Sequence, residues 1–439
     1  MNIPTLKTRR EFLKSSLIGG ALTWTIPSFI GATLQSLQAK ENDSATQTAT
    51  GKDAPILVVV QLAGGNDGLN TIVPHGNDFY HRARPSLGIA KKDVLKVNDE
   101  FGFHPSLTGL KALYDDGSLA IVHGVGYPNP NRSHFRSTEI WATASDSDRN
   151  ESYGWIGRYF DNQCDGCPAD IAVALGSTTP QAFLAKNPKG ITFDSPQQYR
   201  LMGGSFSPTG NAPEDEMFRD MNAMELNQGA SIGGLGAVQK PRDGESPVDF
   251  LQRTALDAQV SSDKIRAIAG KIQTKASYGG NRISTELQLV SKLIAGGMPT
   301  RIYYVSHGGF DTHNQQSSTH QRLLNELGDA LKAFKQDMVD QGNWNRITLM
   351  TFSEFGRRVA QNASAGTDHG TAAPLFVSGG GIKAGFHGTF PSLNPKDLDQ
   401  GDLRFTTDFR SVYATVLEKR LNVASAPILN RKFPLLDFV

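Results

Sequence analysis

Apolar residues along this chain fall into short unbroken runs, separated by stretches in which they recur every third or fourth position. Ile56-Leu-Val-Val-Val-Gln-Leu62 is continuous and rich in β-branched residues, the pattern of a strand covered on both faces. Leu119-Ala-Ile-Val-His123, Ile171-Ala-Val-Ala-Leu175, Thr300-Arg-Ile-Tyr-Tyr-Val-Ser306, Asn345-Arg-Ile-Thr-Leu-Met-Thr-Phe352 and Leu375-Phe-Val-Ser378 predict further strands. Between them the spacing turns helical. Leu107, Leu110 and Leu113 share one face, as do Leu287, Val290, Leu293 and Ile294 ahead of Gly296-Gly297. Leu323, Leu324, Leu327, Leu331, Phe334 and Met338 line a long amphipathic helix. A last helix is predicted from Thr407 or Asp408, with Phe409, Val412, Tyr413, Val416 and Leu417 facing inward. Strands alternating with helices, without an internal repeat, predict an α/β fold: a three-layer αβα sandwich on a mostly parallel sheet. Gly203 to Ser246 is rich in Gly, Pro, Asn and charge and is expected as an insertion or lid outside that sheet.

The N-terminus breaks this pattern. Thr8-Arg9-Arg10-Glu11-Phe12-Leu13-Lys14 precedes a weakly apolar segment to about Leu37. Paired arginines ahead of such a segment read as a twin-arginine export signal over residues 1–39, with cleavage near Ala39. The competing reading is a membrane anchor. Pro27 and the interspersed Thr, Ser and Gln make it a poor span, so no stable membrane span is expected after cleavage. The implied partner is the twin-arginine translocase, and the implied destination is the periplasm or the medium. Residues 40–53 are small and polar and read as a disordered leader. The folded part then runs over 54–439.

Charge and cysteine content narrow the picture only slightly. The chain carries a net charge of +1. Four basic residues and one acid lie in the signal, so the remainder is slightly acidic. No basic stripe points to nucleic acid. Cys164 and Cys167 are the only cysteines. A zinc ribbon would need a second such pair, so a small loop disulfide is the expectation in an oxidising compartment.

The chemistry collects where the apolar runs stop. In an open α/β sheet, ligands bind at the carboxyl ends of the strands. Asp67 follows the first run through Ala63-Gly-Gly-Asn. Asp311 and His313 follow the run ending at Ser306, in His307-Gly-Gly-Phe-Asp-Thr-His313. Glu354 follows Phe352, with Arg357 shortly after. Asp368-His369 precedes the Leu375 strand. Ser133 stands where a helix N-cap would. Each has an ordinary reading as well: Asp-Gly turns, helix caps and surface ion pairs. His134 is either a neighbour of the site or a core residue, and the sequence does not separate the two.

Taken in order, Leu62-Ala-Gly-Gly-Asn-Asp-Gly-Leu-Asn70, Arg132-Ser-His-Phe135, Gly308-Gly-Phe-Asp-Thr-His313, Phe352-Ser-Glu-Phe-Gly-Arg357 and Gly366-Thr-Asp-His-Gly370 resemble the alkaline phosphatase-like superfamily. They resemble in particular its exported DUF1501 branch. The resemblance implies a divalent metal site built from Asp67, Asp311, His313, Glu354, Asp368 and His369. Zinc is the expected metal, ahead of manganese or magnesium. It implies Ser133 as nucleophile, Arg357 holding an oxygen of a small anionic ester, and hydrolysis of phosphate or sulfate esters. Two placements of the later ligands stay open: the literal Asp368-His369 pair, or Glu354 at the strand end with His369 as the last ligand. The second is favoured by strand-end geometry, and it leaves Phe355 where a histidine is expected. Gln315 likewise stands where the superfamily has a histidine four residues after the aspartate. These departures keep a second reading alive: a non-catalytic exported binding or envelope protein on a degenerate scaffold.

Overall fold

The computed structural model describes residues 54–164, 167–187, 190–197 and 261–439. The export signal, the leader and the 203–246 insertion lie outside the described residues. Residues 261–271 are helical.

The main sheet has nine strands. They are β1 (Ile56–Ala63), β2 (Leu119–Gly126), β3 (Ala172–Leu175), β4 (Ile191–Phe193), β5 (Ile302–Gly308), β6 (Ile347–Phe352), β7 (Ala373–Gly379), β8 (Gly385–His387) and β9 (Thr407–Asp408). Their order is β8-β2-β7-β6-β1-β5-β3-β4, with β9 added beside β2. The sheet is mostly parallel. The exception is β7, which runs against both β2 and β6.

Side-chain alternation sends neighbouring β1 residues to opposite layers. Ile56, Val58 and Val60 pack with α1 (Thr108–Asp115), α4 (Arg282–Ala295) and α5 (Gln316–Asp340). Leu57 and Val59 join the other layer, with α2 (His134–Thr143), α3 (Trp155–Gln163) and α6 (Phe409–Thr415). The predicted apolar face of α5 is the one that is buried. Cys164 and Cys167 are disulfide-bonded, Cα to Cα 5.4 Å, and lie buried in the α3 layer. A small sheet of Ile72–Val73, Leu95–Lys96 and Gly102–Phe103, and the short strands β4 and β8, had no periodic signature. Among the described residues no helix is long and apolar enough to cross a membrane.

Register is what positions the site. Ala63 of β1 pairs with Gly308 of β5, and Gln61 pairs with Phe352 of β6. Three strands therefore end together, and their following loops share one edge. Because β7 is antiparallel, its first residues reach that edge too: Ala373 pairs with Val125 near the end of β2. Residues that precede β7 thus meet residues that follow β1, β2, β5 and β6.

Candidate metal centre

Helix α2 is docked onto the end of β6 by its own periodicity. His134, Ser137 and Trp141 lie on one face. The Ser137 hydroxyl and Trp141 Nε1 (2.9 Å) both donate to the Glu354 carbonyl. This brings His134 over the strand ends. Its Nδ1 donates to Glu354 Oε1 at 2.8 Å. Its Nε2 finds no hydrogen-bond partner and points toward Asp311 Oδ2, 3.5 Å away.

Two more imidazoles repeat that arrangement. His369 Nδ1 donates to the Arg132 carbonyl at 2.8 Å, while its Nε2 lies 3.1 Å from Asp311 Oδ1. His313 Nδ1 donates to Asp368 Oδ1 at 3.3 Å, while its Nε2 lies 3.0 Å from Asp311 Oδ1. The Nε2 atoms of His313 and His369 stand 2.9 Å apart. With each Nδ1 carrying the proton, both Nε2 atoms present lone pairs, which repel unless a cation lies between them.

Ligand atoms of His134, Asp311 and His369 all lie within 4.8 Å of one another. The separations of 3.0, 3.1 and 3.5 Å to Asp311 and of 2.9 Å between His313 and His369 bracket the edge of about 3.3 Å expected for tetrahedral ligands held about 2.0–2.1 Å from zinc. Each imidazole is oriented by an outer acceptor, as metal-ligating histidines almost always are.

The backbone is compressed to build this. Gly64, at the end of β1, adopts φ +119°, and a Cβ there would sit 2.4 Å from the Asp311 nitrogen. Its N–H donates to Glu354 Oε1 at 2.8 Å. Arg357 staples the same loops. Nε donates to the Gly65 carbonyl (2.7 Å), Nη1 to the Thr367 carbonyl (2.9 Å), and Nη2 to Asp311 Oδ1 (2.7 Å) and the Phe310 carbonyl (3.0 Å). Partial burial works to raise the Asp311 carboxyl. The Arg357 hydrogen bond and charge, with the close His369 and His313 imidazoles, outweigh it and bring the pKa down to about 2.

Four sequence expectations change here. Asp67 is not in this cluster. Its Oδ2 accepts from Arg84 Nη1 at 2.6 Å and from Gln316, and both members of the Asp67–Arg84 pair are fully buried. Burial would raise the Asp67 carboxyl, but the Arg84 charge and hydrogen bond hold it below the ordinary value. Glu354 and Asp368 touch imidazole Nδ1 atoms, so they orient histidines rather than face the centre. Arg357 is buried and spends its donors on carbonyls and Asp311, so it positions the site and does not clamp a substrate. Ser133 does occupy the N-cap position of α2, but without a side-chain cap bond. It is exposed beside His134.

A family model described as "Protein of unknown function (DUF1501)" matches residues 54–421. The chain belongs to the DUF1501 family. Among curated proteins none matches it. Several solved structures do, at low similarity. A protein in the alkaline phosphatase superfamily from Vibrio parahaemolyticus is 8% identical, covering 91% of this chain and 76% of that one, with a TM-score of 0.36. The PsFucS1 sulfatase from Pseudoalteromonas sp. is 10% identical over 94% and 75%, TM-score 0.36. The C-terminal periplasmic domain of EcEptC from Escherichia coli, in complex with Zn, is 9% identical over 77% and 78%, TM-score 0.32. At these scores the likeness carries no residue role to this chain.

Within this DUF1501 chain, Phe355 stands where the sequence reading expected a histidine. Phe355 is buried, with its ring 4.9 Å from His134 and 4.6 Å from His369, and forms an apolar wall beside the two imidazoles, whose rings stand 4.5 Å apart. The imidazole of His134, from α2, lies beside it. Its only sequence signal was its place next to Ser133.

Proposed function

We propose that this chain is an exported, metal-dependent hydrolase of phosphate or sulfate esters. The observation that supports it best is the inward turn of three imidazole Nε2 atoms upon Asp311, each with its Nδ1 tied outward. His134, Asp311, His313 and His369 would hold the ion, and an imidazole-rich set suits zinc better than manganese or magnesium. Once bound, a dication supplies Lewis-acid charge at an ester oxygen and lowers the pKa of a nearby hydroxyl.

The chain's own residues do the rest. Ser133 presents its hydroxyl at the N-terminus of α2, where free amides and the helix dipole favour an incoming anion. Glu354, Asp368 and the Arg132 carbonyl hold the three Nδ1 protons outward and keep each Nε2 basic. Arg357 fixes Asp311 in its anionic form. Phe355 bars water from one side. The twin-arginine signal would deliver the folded protein across the inner membrane.

The test is metal content and turnover of aryl phosphates and aryl sulfates by the mature chain. Ser133→Ala should keep its metal and lose turnover. The sealed Asp67 and the buried Arg357 favour the second reading, a non-catalytic exported binding or envelope protein. Metal uptake with no turnover in either ester series would select it.

A further inference from the structure

With Arg357 buried, another group must meet the substrate's charge. Two other arginines lie beside the centre. The Arg132 carbonyl receives His369 Nδ1, and Ser133 follows it. The Arg358 N–H donates to the Asp368 carbonyl at 3.0 Å. Both side chains run to one carboxylate, Asp402. Arg132 donates to Asp402 Oδ2 through Nε, at 2.7 Å, and through Nη2. Arg358 Nε stands 3.7 Å from Asp402 Oδ1, too far for a hydrogen bond, and Oδ1 has no other partner.

Exposure divides these three groups sharply. The Asp402 side chain is 0% exposed, whereas Arg132 is 36% and Arg358 40% exposed. Among the described residues the Arg358 guanidinium makes no hydrogen bond. One buried carboxylate thus gathers two half-exposed guanidiniums and is hydrogen-bonded to only one of them. Thr371, two residues after His369, ties the Asp402 loop down by donating to the Leu403 carbonyl. Guanidinium forks match tetrahedral oxyanions bidentately; Arg358 keeps its fork, Arg132 keeps Nη1 beyond its two bonds to Asp402, and the two residues adjoin Arg357 and Ser133 in the chain.

We propose that Arg132 and Arg358 are the oxyanion-recognition pair of this site, set by Asp402, and that they bind the non-reacting anionic oxygens of a phosphate or sulfate ester. This rests on the hydrolase reading and names the residues that would give it specificity for an anion.

The experiment titrates inorganic phosphate into the zinc-loaded mature protein by calorimetry, with zinc content measured on each sample. Arg358→Ala loses no hydrogen bond that the fold makes, so it should fold normally. It should retain its zinc and bind phosphate about ten- to a hundredfold more weakly, the value of one or two charge-assisted bonds. Arg358→Glu should abolish binding, and Arg132→Lys, which keeps a charge on Asp402, should fall between. Equal phosphate affinity in wild type and both Arg358 variants would overturn the pair, as would zinc-loaded wild type that ignores phosphate. Failure to take up zinc at all would instead strike the hydrolase reading on which the pair depends.

Discussion

Asp67 and Asp311 leave adjacent strands at the same edge, yet they live in opposite surroundings. Asp67 is sealed. Arg84 and Gln316 bind its carboxylate. Arg84 also donates to Asn70 Oδ1 (2.7 Å) and to the Arg358 and Val359 carbonyls (both 2.9 Å). Asn66 continues the network to His320 at 3.0 Å. Asp311 is open, with its side chain about half exposed and three imidazoles turned toward it. The difference teaches that a carboxylate's place at a strand end does not decide whether it meets a metal. What decides it is whether a set of imidazoles closes around it as well. An arginine meets the carboxylate in both regions, Arg84 in the sealed one and Arg357 in the open one; only the open one adds three imidazoles.

The hardest blow to this contrast would fall on Arg84. Arg84→Met leaves a buried, unpaired carboxylate, and denaturant unfolding of the metal-free protein should show a loss of about 3–5 kcal/mol. Asp311→Asn should change the same measurement by less, about 1 kcal/mol, because Asp311 is half exposed and Asn keeps an oxygen for the buried Arg357. Equal losses would dissolve the distinction between the regions.

Acid should find the sealed region next. Burial pushes His104 down to about 4 and His320 to about 3, and their rings meet edge-on at 5.8 Å. Both are neutral bases when folded, while the unfolded chain takes up protons near pH 6.5. The unfolded state therefore binds more protons below that value, and stability falls as pH drops from about 6.5 toward 4. The combined loss should be on the order of a few kcal/mol. His320→Gln, which retains a donor for Asn66, should flatten that slope in a pH series of thermal melts.

Metal should act on the open region alone. Zinc at a hundredfold excess over its Kd should stabilise the wild type by about 2.7 kcal/mol and Asp311→Asn not at all. Chelation should return the wild type to its metal-free melting point. The smallest effect sharpens the role of the outer acceptors: Glu354→Gln should weaken zinc binding about 10–100-fold without unfolding the protein.

Much of this was legible in the chain. Unbroken apolar runs located β1, β5 and β6, and with them the loops carrying Asp67, Asp311, His313 and Glu354. His369 was placed by the strand that follows it, although nothing in Leu375-Phe-Val-Ser378 discloses that β7 is antiparallel. What escaped was partnership. Arg84 lies between a short helix and a turn, and no periodicity links it to Asp67 or shows that it would occupy the carboxylate. His134 reads equally well as core or site, because its role depends on how α2 docks onto Glu354. Arg357 and Arg358 are neighbours of one type, and only the fold tells that the first is buried under Asp311 while the second reaches solvent beside Asp402. Sequence spacing reports which edge a residue reaches; which atoms it meets there depends on side-chain packing between distant segments.

The central claim is that one ion belongs to Asp311 and its histidines and none to Asp67. Anomalous scattering at the zinc edge from crystals of the zinc-loaded mature protein tests it most directly. One strong peak per chain is expected, about 2.0–2.2 Å from Asp311 and from Nε2 of His134, His313 and His369, with Arg84 still on Asp67. A peak against the Asp67 carboxylate, or no peak among the three imidazoles, would contradict it.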